Sequence, residues 1–291
     1  MELITGENDA GRRLDRILRK ALPDHPLPLL HRLLRQGKVL ADGKPAKAQD
    51  RIGSGVKIYI PSFKIDKKPV VSTCFSGTPD IIWQGSGLIA VNKPSGLAVH
   101  GPDSLDTIIR SFLSDKLPPS LSFKPGPLHR LDKPSSGIVI FSVNLEGARL
   151  FSSLMRERKV RKTYLAIVEG KVEKEENWED RLVRDKDRKK TFISQEKTDE
   201  SKTAITKIKP LAVNDRYSLI SAEIATGRTH QIRAQAAFRG HPLLGDRKYS
   251  GHGNSCFFLH AQKMKFLNFS IEAPLPDKFR EKVTELFGIQ T

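Results

Sequence analysis

The chain has 291 residues, with 50 Lys and Arg against 33 Asp and Glu, a formal charge of +17 and a 38% hydrophobic share. That length and apolar content suit one or two packed domains and exclude a globally disordered chain, while the charge points first to a polyanionic partner, nucleic acid or an anionic membrane. Two cysteines, Cys74 and Cys256, exclude a disulfide framework, and neither a glycine-rich phosphate loop, a paired metal-ligand motif, an apolar run of membrane-spanning length nor a secretory h-region is present, so a cytoplasmic protein without metal or cofactor is expected.

Residues 11–22, GRRLDRILRKAL, put Leu14, Ile17, Leu18, Ala21 and Leu22 on one helical face and cover the rest with arginine and lysine. Residues 28–36, PLLHRLLRQ, repeat the pattern, with Pro28 suited to a first helical position and Gly37 to a stop. The Asp42-Gly43 pair between short extended runs predicts a hairpin, and Val56–Ile60 a closing strand. Residues 1–61 therefore read as two helices on a few strands, with twelve basic residues against seven acidic, a net +5. Arg32 and Arg35, three apart on one helical face and followed by Lys38, together with Arg12 and Arg13, are the candidate contacts to a phosphate backbone. This stretch resembles the small RNA-binding module of alpha-L type first described in a small-subunit ribosomal protein. Residues 62–80, mixed and interrupted by Pro and Gly, read as a linker, and 81–291 as a second domain.

Further on, Ile81–Trp83 and Leu88–Val91 read as strands around a Gly85–Gly87 turn, and Asn92–Gly96 as a turn. Pro125, Gly126 and Pro127 break structure ahead of His129-Arg130-Leu131-Asp132, and Ile138–Phe141 is a buried strand after it. A loop pinned between ordered elements is a common place for chemistry. Residues 146–158 predict a helix and 162–170 a strand carrying Tyr164 near its start. Residues 171–200 hold 19 charged residues in 30 and read as an exposed insertion or twisted hairpin, or as an RNA-touching flap. Residues 202–224 read as strands, and 226–240, TGRTHQIRAQAAFRG, as a helix beginning near Thr229 and closed by Gly240.

Taken alone, Asp132 between Arg130 and Lys133 is compatible with a plain ion pair. Kinase chemistry is disfavoured because a leucine interrupts the His-Arg-Asp order and no Asp-Phe-Gly follows; a glycosidase would need a second carboxylate in a matching loop.

The segment LHRLDKPSSG resembles the signature of the RluA-type pseudouridine synthases, and LIAVNKPSGLAVHG, KTYLAIVEG, GRTHQIR and GHPLLGDRKYSG resemble that family's other motifs in the same order, over about residues 81–275. The Val99-His100-Gly101 turn is most similar to the RluC-like branch. The resemblance implies an α+β fold, with a mixed, mostly antiparallel catalytic sheet and flanking helices behind the small RNA-binding domain. It implies isomerisation of uridine to pseudouridine in large-subunit ribosomal RNA, with transfer RNA or a catalytically idle ribosome-assembly role as alternatives. It assigns the essential carboxylate to Asp132, its guanidinium partner to Arg228, the active-site ring to Tyr164, and to Arg130 the place vacated by a flipped base. The reaction calls for no metal or other cofactor, and a monomer bound to RNA is expected. His129, Lys93, Pro94 and Gly137 are expected to shape the loop rather than react, with Gly137 allowing a close backbone approach.

Overall fold

The computed structural model describes residues 1–61, 78–249, 251–252 and 256–289. Most of the expected linker, residues 62–77, and Cys74 within it lie outside the described residues.

The two helices expected at the front form at Leu14–Ala21 and Leu27–Arg35. Their apolar stripes meet in one core, Leu14, Ile17, Leu18, Leu30, Leu33 and Leu34 packing with Val39, Ile52, Ile58 and Ile60. A four-stranded sheet runs beside them in the order Glu2–Ile4, Lys57–Tyr59, Leu40–Ala41, Lys44–Pro45. Asp42 and Gly43 turn between the last two strands, both with positive φ (46° and 78°), the backbone a two-residue hairpin turn requires. Arg12–Arg13 pair with Arg51–Ile52 ahead of the first helix, so that helix starts later than its charge pattern suggests.

The rest of the chain is built on an eleven-stranded sheet. Its main path is Lys190–Ser194, Glu176–Asp185, Lys202–Val213, Tyr217–Ile224, Arg161–Glu169, Leu259–Phe266, Ser136–Ser142, Leu88–Lys93 and Ile81–Gly85. Among the described residues, every strand pairing in this sheet is antiparallel except Ser136–Gly137 against His260–Ala261. The architecture is the α+β arrangement expected from sequence. Central strands are apolar in continuous runs because both faces are covered. Ile89, Val91, Val139 and Phe141 share one core with Ala166 and Val168, whereas Leu88, Ala90, Ile138 and Ile140 enter the core on the other face. Period-two alternation thus divides each strand between two cores.

Residues 171–200 resolve into a hairpin, Glu176–Asp185 with Lys190–Ser194, and its first strand is zipped to Lys202–Val213. Trp178 and Leu182 are buried, so the segment is the outer part of the sheet and not an appended flap. Helices Leu105–Leu113 and Asp277–Phe287 carry no assignment from sequence. The helix expected over 226–240 is shorter, Gln231–Phe238, because His230 adopts a left-handed conformation at its N-cap, φ 54° and ψ 24°.

The front section is joined to the sheet-bearing section through Asp9, which is fully buried. Its carboxylate accepts from the backbone N–H groups of Gly6 (2.9 Å), Leu121 (2.8 Å) and Ser122 (2.9 Å), and from the hydroxyls of Ser120 and Ser122. Burial works to raise the pKa of Asp9, but these donors outweigh it and hold the carboxyl below the usual range. Asn8 Oδ1 accepts from Leu145 N at 2.8 Å, and Arg12 donates to the Ser122 carbonyl at 3.1 Å.

Candidate active site

The loop before Ser136–Ser142 brings Asp132 to the wall of a cleft of about 290 Å³ that also admits Arg130, Tyr164, Arg228, His230, Arg233 and Leu259. The loop is held by backbone and lysine contacts. Lys93, fully buried, donates from Nζ to the carbonyls of Pro94 (2.9 Å), Leu97 (2.8 Å) and Lys133 (3.2 Å). Burial pushes its ammonium down to about 8, with the charge of Asp132 opposing. Gly96 N donates to Lys133 O and Ser95 Oγ to Pro134 O, tying the Asn92–Gly96 turn to the same loop. His129 is a structural residue: its Nε2 accepts from Ile140 N at 3.0 Å, and burial first, then Lys162, lowers it to about 3. Gly137 has φ 109°, and a Cβ there would lie 2.3 Å from the Ala261 carbonyl oxygen, so only glycine lets the two parallel strands meet behind the loop.

Asp132 is paired with a guanidinium, but not that of Arg228. Arg233 donates from Nη1 to Asp132 Oδ2 at 2.9 Å, and spends its Nε and Nη2 on Asp246 at 2.8 Å each. Arg228 lies in the half-exposed turn before the helix, and its Nε donates to the Thr203 carbonyl at 3.1 Å. The physical reason is position. Residue 228 precedes the helix, while residue 233 is on it, buried to 5% exposure against the sheet. A charge that deep requires acidic partners. The signal was available in sequence, since Arg233 interrupts the otherwise uncharged run QIRAQAAF and an aspartate, Asp246, stands in GHPLLGDRKYSG. Burial works against the Arg233 cation, but hydrogen bonds and charge from Asp246, then Asp132, raise its pKa beyond the ordinary guanidinium value. Rings of Tyr249 and Phe257 lie 5.2 and 5.1 Å from its guanidinium carbon and complete its shell.

Tyr164 lies on Arg161–Glu169, two strands from the Asp132 loop, with Leu259–Phe266 between. The register between those two strands slips at Thr163/Tyr164, where Thr163 faces Lys263 and Tyr164 faces Ala261. Such a bulge re-aims a side chain locally. The ring is nearly buried at the cleft, and burial, then the Asp132 charge, raises its pKa, so the phenol is neutral. Asp132 from its loop and Tyr164 from its strand thus face one cavity.

Arg130 is exposed at the cleft wall. Arg32, Arg35 and Lys38 are exposed on and after Leu27–Arg35. Arg13 is exposed and paired with Asp15 through two hydrogen bonds, whereas Arg12 is half-buried at the Ser122 contact. Gln235 is buried, bonded to Thr206, Trp178 and Asp180 inside the sheet. Among the described residues, no cluster of three or more His, Cys, Asp or Glu is placed to hold a metal, and no helix is long and apolar enough to cross a membrane.

Residues 87–238 match the family model described as RNA pseudouridylate synthase. The chain is similar to ribosomal large subunit pseudouridine synthase C of Vibrio vulnificus (strain CMCP6), 30% identical over 92% of this chain and 89% of that protein. It is 31% identical to the protein of that name from Vibrio parahaemolyticus, over 95% of this chain and 93% of the other. The likeness to the Escherichia coli (strain K12) protein is 28%, over 96% and 94%. Among solved structures, human RNA pseudouridylate synthase domain containing 4 superposes with a TM-score of 0.61 at 22% identity, covering 71% of this chain and 92% of that one. Human RNA pseudouridylate synthase domain containing 1 gives 0.59 at 20%, covering 76% and 91%. These two share the fold. The length of the sequence match, together with the family model over just over half of the chain, makes this protein a member of the RNA pseudouridylate synthase family, an isomerase that converts uridine to pseudouridine.

Proposed function

We propose that the protein isomerises specific uridines of large-subunit ribosomal RNA in the cytoplasm, acting as a monomer, with Asp132 as the reacting carboxylate. The observation that carries the site assignment is the Asp132–Arg233 pair facing Tyr164 in one cleft. Pseudouridylation breaks a bond from the ribose anomeric carbon to nitrogen, turns the uracil, and forms a bond from that carbon to carbon. An anionic oxygen beside the anomeric carbon meets that need, as nucleophile or as electrostatic partner. Arg233 holds the carboxylate in place through one hydrogen bond, and Asp246 holds the other edge of the guanidinium. The neutral phenol of Tyr164 supplies a stacking face for the uracil and a hydroxyl near the carbon that must lose its proton.

A stacked uridine cannot reach such a cleft, so the base must leave its helix at a cost of roughly a few kcal/mol. Arg130, exposed at the rim, is assigned to the vacated place, where a planar guanidinium can stack or pair. Residues 1–61 are assigned to RNA binding, with Arg12, Arg13, Arg32, Arg35 and Lys38 on phosphates, residues 62–80 to a link, and 81–291 to catalysis. The ribosomal substrate is supported by the names of the bacterial relatives, which match over nearly their whole length.

Pseudouridine mapping of total RNA from a deletion strain tests the reading. Loss of one or more sites in large-subunit RNA is the expected result. Loss confined to transfer RNA moves the substrate, and an unchanged pattern throughout refutes the assignment.

A further inference from the structure

His230 is held in a single protonation and tautomeric state by residues outside the cleft. Tyr249 Oη lies 2.9 Å from the Thr191 carbonyl, which can only accept, so its one proton goes there. Thr191 N–H donates to the same oxygen at 2.8 Å. Its remaining side faces His230 Nδ1 at 3.0 Å, and that nitrogen must therefore carry the proton. Four charged groups face the imidazole: Asp132, Arg233, Arg184 and Lys248. Burial lowers its pKa to about 4; Asp132 opposes the shift, and the three cations reinforce it. The ring is thus neutral near pH 7, and Nε2 is left with a lone pair. That lone pair lies in the cleft, 3.8 Å from Asp132 Oδ2, beside a carboxylate that also only accepts. No hydrogen bond within the described residues uses it. The backbone of His230 is in the left-handed region, φ 54°, an arrangement that persists only where its surroundings impose it. Two acceptors side by side at a cleft wall call for a donor from the ligand.

We propose that His230 Nε2 accepts a hydrogen bond from the 2′-hydroxyl of the target uridine, making it the residue that distinguishes ribose from deoxyribose at the reacting nucleotide. This rests on the functional reading above, in which Asp132 faces the anomeric carbon. The hydroxyl on the neighbouring carbon is then the substrate donor within reach of a group beside Asp132. The uracil N–H is the other donor on the nucleoside, but the base belongs to the Tyr164 side of the cleft. A site built around an acceptor rejects the analogue that lacks the donor, because the acceptor is left dry and unpaired.

The experiment uses the full-length protein and three RNA fragments spanning the mapped uridine, identical except for 2′-hydroxyl, 2′-hydrogen or 2′-methoxy at that nucleotide. Initial rates give kcat/KM for wild type, His230→Asn and Tyr249→Phe. Asparagine tolerates the left-handed backbone. Wild type is expected to prefer the hydroxyl over both analogues by about 10–100-fold, the range of a hydrogen bond left unmade. That preference should fall by about 10-fold in His230→Asn and by a smaller factor in Tyr249→Phe, which keeps the imidazole but removes the lock on its tautomer together with the two bonds to Thr191. Any preference due to the chemistry itself is common to all three proteins and cancels in the ratio. A preference as large in His230→Asn as in wild type overturns the inference; if that variant does not fold, an undiminished preference in Tyr249→Phe overturns it. A wild type that makes no pseudouridine in the unmodified fragment overturns the functional reading and this one with it.

Discussion

Arg233 reaches Asp132 through one nitrogen only, Nη1 at 2.9 Å, because its other edge is committed to Asp246. Asp132 Oδ1 therefore makes no bond to that guanidinium. A fork-to-fork pair would have consumed both oxygens. Asp246, buried directly behind the cleft-lining Arg233, leaves that guanidinium one nitrogen for Asp132.

Arg233→Ala should be the more severe of the two arginine substitutions. It strands two carboxylates, one of them fully buried, and breaking such a network costs about 3–5 kcal/mol. Arg228→Ala removes a half-exposed chain bonded to one carbonyl. Denaturant midpoints should separate the two clearly, and tritium release from uracil-labelled RNA should survive at least ~10-fold better in Arg228→Ala, a difference of ~1.4 kcal/mol in barrier. Equal loss in both would return Arg228 to the centre of the mechanism.

Asp132→Asn keeps shape and leaves Arg233 satisfied by Asp246. Stability should drop by no more than about 1.5–3 kcal/mol, the worth of one charge-assisted hydrogen bond. Tritium release should fall by at least ~10³-fold, about 4 kcal/mol. Release at the wild-type rate would take Asp132 out of the reaction.

Tyr164→Phe keeps the ring and its place beside Ala166 and Val168 in the core while deleting the hydroxyl. RNA affinity should be retained and turnover should fall by about 10²–10⁴-fold, the usual range for a lost acid–base group. A loss of affinity with normal turnover would assign the residue to binding alone.

Asp9→Asn should loosen the junction between the front section and the sheet. The amide offers one oxygen where the carboxylate takes five hydrogen bonds, and its NH₂ faces donors. A cost of about 1–3 kcal/mol at neutral pH is expected. Because the folded-state pKa is lowered, the carboxylate contributes stability above the unfolded value near ~3.9 and loses it as pH falls through the lower folded value. The gap between wild type and Asp9→Asn in chemical denaturation should therefore be widest above about pH 4 and close on further acidification. A gap independent of pH would mean that Asp9 acts by shape alone.

Neutralising Arg32 and Arg35 together should flatten the slope of log affinity against log salt by ~1–2 units if both touch phosphates. Binding assays across a salt series check it; an unaltered slope removes Leu27–Arg35 as a docking face.

The amino-acid order alone determined the two front helices, the Asp42-Gly43 hairpin, the central strands and the irregular loop ahead of Ser136–Ser142, since each is written in local spacing: apolar positions three and four apart, a turn pair needing positive φ, an unbroken apolar run, prolines and glycine bounding the loop; the choice of Asp132 within it came from the family resemblance. Tertiary structure alone decided which arginine of GRTHQIR meets Asp132. Residues 228 and 233 are five apart, and the uncharged run around Arg233 hints at burial without naming its partner; the left-handed turn at His230 starts the helix at Gln231 and carries residue 233, not 228, inward to Asp246. The tautomer of His230 has the same origin, because it depends on Tyr249 and Thr191, residues brought together only by the sheet. Charge pairing inside a protein is set by burial, and burial is a property of the packed molecule, not of neighbours along the chain.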